Sequence, residues 1–294
     1  MTVPSAATAG ERATAGTLGK RHVELSAGTI RYDDVGSGPP LIFVHGVLVN
    51  SLLWRKVVPE LSDGFRCITP DWPLGSHPMA MKRDADLSPP AIAALIAEFM
   101  DALDLRDVTL VGNDTGGALS QMVAAWHRRR VARLVLTPSD AFEDDLPAMF
   151  QYLKGVARVP GATWLVGQSM KLALVRRSPF AYGWLASIPD DVTDAYSLPV
   201  RSDAAVRRDA VKLMKKISKR DTLAASNALQ DFDRPALIVW PRRCHFFPYR
   251  NAERLQRVLP NARLETIDGS QGFVPEDQPQ RLAQLIREFV TGTG

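Results

Sequence analysis

The stretch Val108-Thr109-Leu110-Val111-Gly112-Asn113-Asp114-Thr115-Gly116-Gly117-Ala118-Leu119 decides the fold. An apolar, β-branched run precedes a glycine-containing corner, and an Ala/Leu/Met-rich segment of helical character follows it. This order predicts a strand, a tight turn and a helix, with Asp114 raised on the bend that the glycines permit. A carboxylate held there, close to the amides that begin the helix, can attack carbon as a nucleophile.

Composition and charge restrict the class of protein. The 294 residues carry a net charge of +4 and fit one large α/β domain with an insertion. Cys67 and Cys244 are the two cysteines, which excludes a disulfide framework and suggests a reducing cytoplasm. The run Arg128-Arg129-Arg130 is interpreted as a solvated helix end, because no recognition pattern for nucleic acid accompanies it. No segment is apolar and long enough to span a bilayer, so we expect a cytoplasmic protein without membrane or nucleic-acid partners.

Strand-like and helix-like segments alternate along most of the chain. Residues 21–25 and 29–33 predict an antiparallel hairpin, whereas residues 40–46 form a continuous apolar run typical of a buried parallel strand. Further strands are predicted at residues 65–69, 108–112, 131–136, 234–240 and 263–267, and helices near residues 52–61, 90–103, 115–127, 251–259 and 279–290. This alternation predicts an α/β fold with a mostly parallel sheet covered on both faces by helices.

The alternation stops between residues 141 and 231, where prolines interrupt segments of helical character. We interpret this block as a helical cap inserted after the strand that follows the elbow helix. Residues 20–140 and 232–294 then form the core, and residues 1–19, rich in Ala, Thr and Gly, form a disordered tail.

Five motifs in order carry a family resemblance. They are His45-Gly46 after a buried strand, Pro70 to His77 after the next, the elbow Gly112 to Gly117, Phe246-Phe247-Pro248, and Phe273 to Pro279. Together they resemble an α/β-hydrolase with a helical cap, over about residues 20–291. An aspartate at the elbow resembles the haloalkane dehalogenase and epoxide hydrolase branch of that superfamily.

The resemblance implies a two-step hydrolysis without cofactor or metal. Asp114 would displace halide or open an epoxide on a small apolar substrate, forming an ester that water then cleaves with help from a histidine and an acid. The backbone amides of Thr115 and Val47, the latter after the His45-Gly46 pair, would stabilise the developing anion.

The sequence departs from this pattern at both supporting positions. The family alignment places Gly272 where the histidine should stand and Cys244 where the acid should stand. Asp140, just past the strand at residues 131–136, is a candidate carboxylate, and His245 and His77 are candidate replacement bases. His45 is expected to shape the oxyanion loop through backbone hydrogen bonds.

Further candidates come from the same resemblance. Thr115 stands where dehalogenases often carry a halide-binding tryptophan, which argues against dehalogenation, and Tyr152, Tyr182 and Tyr196 fall in the predicted cap, where epoxide hydrolases place proton donors. Three hypotheses remain open: a hydrolase that uses Asp114, a binding protein that keeps only the pocket, and a lyase, isomerase or cyclase. The oligomeric state is also open, with a homodimer as one option.

Overall fold

The protein is described by a computed structural model of residues 20–292, so the predicted tail at residues 1–19 lies outside the described residues. Eight strands form one sheet: β1 Arg21–Leu25, β2 Gly28–Val35, β3 Pro40–Val44, β4 Arg66–Pro70, β5 Val108–Gly112, β6 Val131–Leu136, β7 Ala236–Trp240 and β8 Ala262–Thr266. Their order is β1-β2-β4-β3-β5-β6-β7-β8. Only the β1–β2 and β2–β4 pairs are antiparallel, so the mostly parallel sheet expected from the sequence is confirmed.

Within residues 20–292, twelve α-helices accompany the sheet. They are α1 Val58–Leu61, α2 Pro89–Ala102, α3 Thr115–Trp126, α4 Tyr152–Val156, α5 Ala162–Ser169, α6 Ala173–Arg176, α7 Asp190–Ser202, α8 Ala204–Lys216, α9 Lys219–Ala228, α10 Tyr249–Val258, α11 Val274–Asp277 and α12 Pro279–Thr291. The single helix predicted near residues 52–61 is wrong, because this segment divides into a 3₁₀ turn, Ser51–Trp54, and the short α1. The Asn50 side chain accepts a hydrogen bond from the Leu52 amide and caps that tighter turn.

The middle of the sheet brings two functional loops together. Strands β3 and β5 are neighbours, and their register pairs Ile42 with Leu110 and Val44 with Gly112. The Asn113 amide then donates to the Val44 carbonyl at 3.1 Å. Because the carboxyl ends of parallel strands meet at one edge, the loop that follows β3 lies beside the elbow that follows β5.

Residues 141–231, all of which the structure describes, contain helices α4 to α9 and no strand. This segment, called the cap here, contacts loops at the carboxyl edge of the sheet. The Tyr182 hydroxyl donates to the Leu48 carbonyl at 2.7 Å, and the Ser76 hydroxyl donates to the Tyr196 carbonyl at 2.6 Å. None of the helices described has the length and apolar character that crossing a membrane requires.

Candidate active site

Asp114 occupies the elbow in the left-handed region of backbone space, with φ of 57° and ψ of −137°. Glycines make room for this conformation. A Cβ on Gly116 would lie 2.2 Å from the Val44 carbonyl oxygen, and a Cβ on Gly46 would lie 2.0 Å from Asp114 Oδ2. The turn therefore requires glycine at both positions, and it sets the carboxylate directly against the loop that follows β3.

The Asp114 side chain is 8% exposed and lines a cavity of about 100 Å³ between the core and the cap. The other walls are predominantly apolar and include Leu146, Phe150, Met170, Leu185 and Met214. Among the described residues that line this cavity, Asp114 is the only carboxylate. A single carboxyl group therefore faces a small apolar space.

Burial controls the protonation of Asp114. Loss of solvent raises the pKa of its carboxyl to about 7, although the neighbouring amide and hydroxyl of Thr115 act to lower it. The carboxyl is therefore about half ionised at neutral pH, where an exposed aspartate is fully ionised.

A second carboxylate lies behind the first. Asp140 is 1% exposed, and the Thr115 hydroxyl donates to its Oδ2 at 3.5 Å. Its Oδ1 has no hydrogen-bond partner within the part of the chain that the structure describes. Burial, followed by repulsion from Asp114, raises the pKa of Asp140 well above its ordinary value. Both carboxyls are thus harder to ionise than an exposed aspartate, and the Thr115 hydroxyl links Asp140 to the elbow.

The place expected for the catalytic histidine is filled with apolar side chains. A Cβ on Gly272 would lie 3.0 Å from Leu185 Cδ2 and 3.3 Å from Phe247 Cε2. The Asn113 carboxamide donates to the Gly272 carbonyl at 2.9 Å, which places this loop next to the elbow. The loop thus approaches the site as expected but presents no base to it.

The position expected for the acid also lacks a carboxylate, because Cys244 stands there. The Cys244 sulfur accepts a hydrogen bond from the Phe247 amide at 3.4 Å, and burial raises the pKa of its thiol. The neighbouring His245 is exposed, and its Nδ1 lies 2.8 Å from Gln271 Oε1 while its ring packs on Trp184. It lines an open pocket at the surface and does not line the Asp114 cavity.

The remaining histidine candidates are engaged elsewhere. His45 is fully buried, its Nε2 accepts from the Trp72 amide at 2.9 Å, and burial lowers its pKa to about 4. Nδ1 of this neutral ring lies 2.9 Å from the Gly46 carbonyl, which suits a role in shaping the loop. His77 is buried with Nε2 3.3 Å from Asp209 Oδ2 of α8. Val47 lines the cavity, but neither histidine does.

The three cap tyrosines direct their hydroxyls to other groups. Tyr152 donates to the Phe180 carbonyl at 2.9 Å, and Tyr182 donates to the Leu48 carbonyl. The Tyr196 hydroxyl lies 3.2 Å from Glu276 Oε1. Since each hydroxyl proton already has an acceptor, proton donation to an opening epoxide would require one of these bonds to break.

Sequence reasoning did not predict that Leu185 and Phe247 pack against Gly272, at the position expected for the histidine. Leu185 reaches the site from the cap and Phe247 from the loop after β7, and no motif marks either residue as a neighbour of Gly272. Within residues 20–292, no group of three or more potential ligands is placed to hold a metal ion.

Comparison with known proteins now identifies the family. The model of the family described as alpha/beta hydrolase fold matches residues 39–279. The chain belongs to that family. Relatives that are 29% identical to it are named haloalkane dehalogenases, in agreement with the resemblance drawn from the elbow motif.

Two curated relatives and one solved structure show what this α/β-hydrolase is similar to. Haloalkane dehalogenase 2 of Mycobacterium tuberculosis is 29% identical over 280 residues, covering 91% of this chain and 93% of that protein. A haloalkane dehalogenase of Mesorhizobium japonicum is 29% identical over 227 residues, covering 74% and 71%. The solved structure of the epoxide hydrolase CorEH shares the fold, with a TM-score of 0.74, 20% identity, and coverage of 93% and 99%.

Proposed function

We propose that this α/β-hydrolase attacks small, apolar alkyl electrophiles (alkyl halides or epoxides) through Asp114 and then hydrolyses the resulting ester. The observation that carries the proposal is the position of Asp114 as the lone carboxylate lining a small apolar cavity. The haloalkane dehalogenases among its relatives and the similarly folded epoxide hydrolase favour the same substrate class.

In the first step, an Asp114 oxygen would attack the substrate carbon, and the carbon–halogen or carbon–oxygen bond would break as the ester forms. A halide leaves with the electron pair of the broken bond, whereas the oxygen of an opened epoxide keeps that pair, stays attached to the ester and takes a proton from water. Backbone amides of Thr115 and Val47 would donate to this developing charge, and backbone donors do not depend on side-chain identity. The apolar walls exclude water, which strengthens the attack by an ionised carboxylate.

We assign the second step to Asp140 in place of a histidine. Esterification removes the negative charge of Asp114, and repulsion from that charge is one cause of the raised pKa of Asp140. Asp140 therefore ionises more readily once the ester has formed, and the ionised carboxylate can then accept a proton. Water would attack Asp114 Cγ and pass a proton through the Thr115 hydroxyl to Asp140, and the released alcohol would recover a proton from the same pair.

The experiment that tests the nucleophile is intact mass measurement after incubation with a panel of short alkyl halides and epoxides. We expect either a covalent adduct or turnover. Asp114→Asn should lower the rate of adduct formation or of turnover at least about 1000-fold. A matched control is Asp145→Asn, which alters a buried carboxylate paired with Lys154 outside the cavity. Unchanged activity in Asp114→Asn, or no adduct and no turnover across the whole panel, would refute the proposal.

One observation favours a second candidate, a binding protein without hydrolysis. Leu185 and Phe247 fill the space in which the histidine of a complete triad would begin. Such a protein would hold an apolar ligand in the cavity without forming a covalent bond. The same panel separates the two functions, because reversible binding leaves the mass of the protein unchanged.

A further inference from the structure

The outer surface of the cap combines exposed apolar side chains with positive charge. Residues 146–189 contain five lysines and arginines and no aspartate or glutamate. Three of these cations pair with aspartates outside the segment, namely Lys154 with Asp145, Arg176 with Asp194 and Arg177 with Asp190. Most of the large hydrophobic side chains that the described residues expose lie in this segment: Tyr152, Val159, Trp164, Leu165, Leu172, Leu174, Phe180 and Trp184. Exposed apolar side chains concentrated in this way usually mark an interaction surface.

A groove of about 480 Å³ lies on this surface, between the start of α5 and helix α8. Its charged and aromatic walls are Arg158, Trp164, Arg207, Arg208, Lys212 and Lys215, and no carboxylate lines it among the described residues. We call it the cationic groove. Trp164, 49% exposed, and the adjacent Leu165, 62% exposed, project beside it.

The charges of the cationic groove are largely uncompensated. Arg208 pairs with Asp209, but the other four cations make no ion pair with any carboxylate in residues 20–292. Arg207 donates to the Val200 and Arg201 carbonyls, and Lys212 donates to the Arg83 and Ala85 carbonyls. These bonds hold the side chains in place without neutralising them, so the groove presents a fixed positive field.

We propose that this face of the cap docks on a membrane surface that contains anionic phospholipids. Trp164 and Leu165 would enter the boundary between headgroups and acyl chains, while Arg158, Lys212 and Lys215 contact the phosphates. The expectation of no membrane partner depends only on the lack of a bilayer-spanning segment in the sequence. A surface assembled from α5 and α8 becomes visible only in the fold.

Charge and continuity favour a lipid surface over a second copy of the chain. A twofold contact through this face would set the cationic groove of one copy against the same groove of the other, and like charges would then repel. Three residues, Ala157, Thr163 and Val211, line both the groove and the Asp114 cavity. Docking would therefore bring one wall of the cavity to the membrane, where apolar molecules concentrate.

The test is co-sedimentation of the full-length protein with vesicles of phosphatidylcholine alone or mixed equally with phosphatidylglycerol, at low and high salt. We expect binding to the anionic vesicles only, weakened by salt. The double variants Arg158→Glu/Lys215→Glu and Trp164→Ser/Leu165→Ser should each reduce the partition coefficient at least tenfold. Matched controls are Arg281→Glu and Trp126→Ser, which change an exposed cation and an exposed tryptophan outside the cap and should bind like the parent.

Three results would overturn the proposal. They are no binding to anionic vesicles, equal losses in the cap variants and their controls, and sedimentation equilibrium showing a dimer that only the cap variants dissociate. Circular dichroism of each variant distinguishes lost binding from lost folding. Vesicle binding does not depend on the chemistry proposed for Asp114, so the two proposals fail independently.

Discussion

The two halves of the candidate site differ in what holds them together. On the β3–β5 side, Gly46, Asp114 and the Thr115 amide meet through backbone contacts that two glycines permit. On the β7–β8 side, the residues that would complete a catalytic triad are a thiol and a glycine, and apolar side chains occupy the space. The position of the elbow carboxyl and of the amides beside it thus depends on backbone geometry, whereas a general base would need one particular side chain.

The largest expected effect tests whether the β3–β5 half supplies its own base. Asp140→Asn keeps the volume of the side chain and removes its proton acceptor, so the ester on Asp114 should decay at least about 100-fold more slowly. Intact mass after a single addition of substrate measures this decay. Asp144→Asn is the matched control, since Asp144 contacts Asn251 and not Thr115. Equal decay rates in the parent and Asp140→Asn would show that Asp140 is not the base.

The pH dependence of the free energy of unfolding should show the energetic cost of burying the Asp114 carboxyl. The native pKa of Asp114, about 7, lies above the unfolded value of 3.8, so between these pH values the native state holds a proton that the unfolded chain has lost. The contribution of this group therefore favours folding at low pH and is lost as pH rises toward 7. Asp114→Asn should raise the free energy of unfolding at pH 8 by roughly 2–4 kcal/mol and change it little at pH 4.

Urea unfolding at both pH values measures that difference. Asp268→Asn, which changes an exposed carboxylate, is the control and should show no comparable gain. Equal stability of the parent and Asp114→Asn at pH 8 would mean that Asp114 is better solvated than its burial indicates.

The rate of ester formation should follow the ionisation of Asp114. With a pKa of about 7, the ionised fraction rises from about 1% at pH 5 to about half at pH 7, so alkylation should accelerate roughly 50-fold over that interval. Above pH 8 the rate should level off. Rapid-quench mass spectrometry with an alkyl halide checks the profile, and a flat profile from pH 5 to 8 would exclude a carboxylate that titrates near 7.

The smallest expected effect is a loss of stability on the β7–β8 side, where Leu185 and Phe247 pack against Gly272. Gly272→His should lower the free energy of unfolding by about 1–3 kcal/mol, because its Cβ meets Leu185 and Phe247 too closely. Adding Leu185→Ala should relieve part of this strain, so the double variant should be more stable than the sum of the single effects predicts. Gly155→His is the control, since a Cβ there meets nothing within 4 Å.

Strictly additive effects in this double-mutant cycle would mean that Leu185 does not limit the space at position 272. If a histidine is accommodated, combining it with Cys244→Asp should accelerate hydrolysis of the ester, since the missing base and its acid are then both present.

Some features of this molecule follow from local sequence, and others do not. The strand, the glycines and Asp114 lie within a dozen residues, so the elbow could be predicted from β-branched runs and turn chemistry. The absence of a base was also readable, because Gly272 and Cys244 stand inside recognisable loops. Leu185, by contrast, meets Gly272 only after the cap has folded over the sheet, and no local pattern encodes that contact.

The same limit applies to protonation and to the cap surface. Sequence spacing places Asp114 and Asp140 at the ends of adjacent strands, but their raised pKa values depend on burial by the cap. His245 was a candidate base because it neighbours the expected acid position, yet the loop turns its ring outward onto Trp184. Long-range packing decided each of these cases, and single-residue propensities carry no information about it.

The contact between Gly272, Leu185 and Phe247 also bears on how this protein can evolve. These residues come from three distant parts of the chain, so recovering an imidazole at position 272 demands coordinated change in the β8 loop, the cap and the β7 loop. A histidine introduced there alone would therefore cost stability, and the effects of substitutions at these three positions should depend on one another.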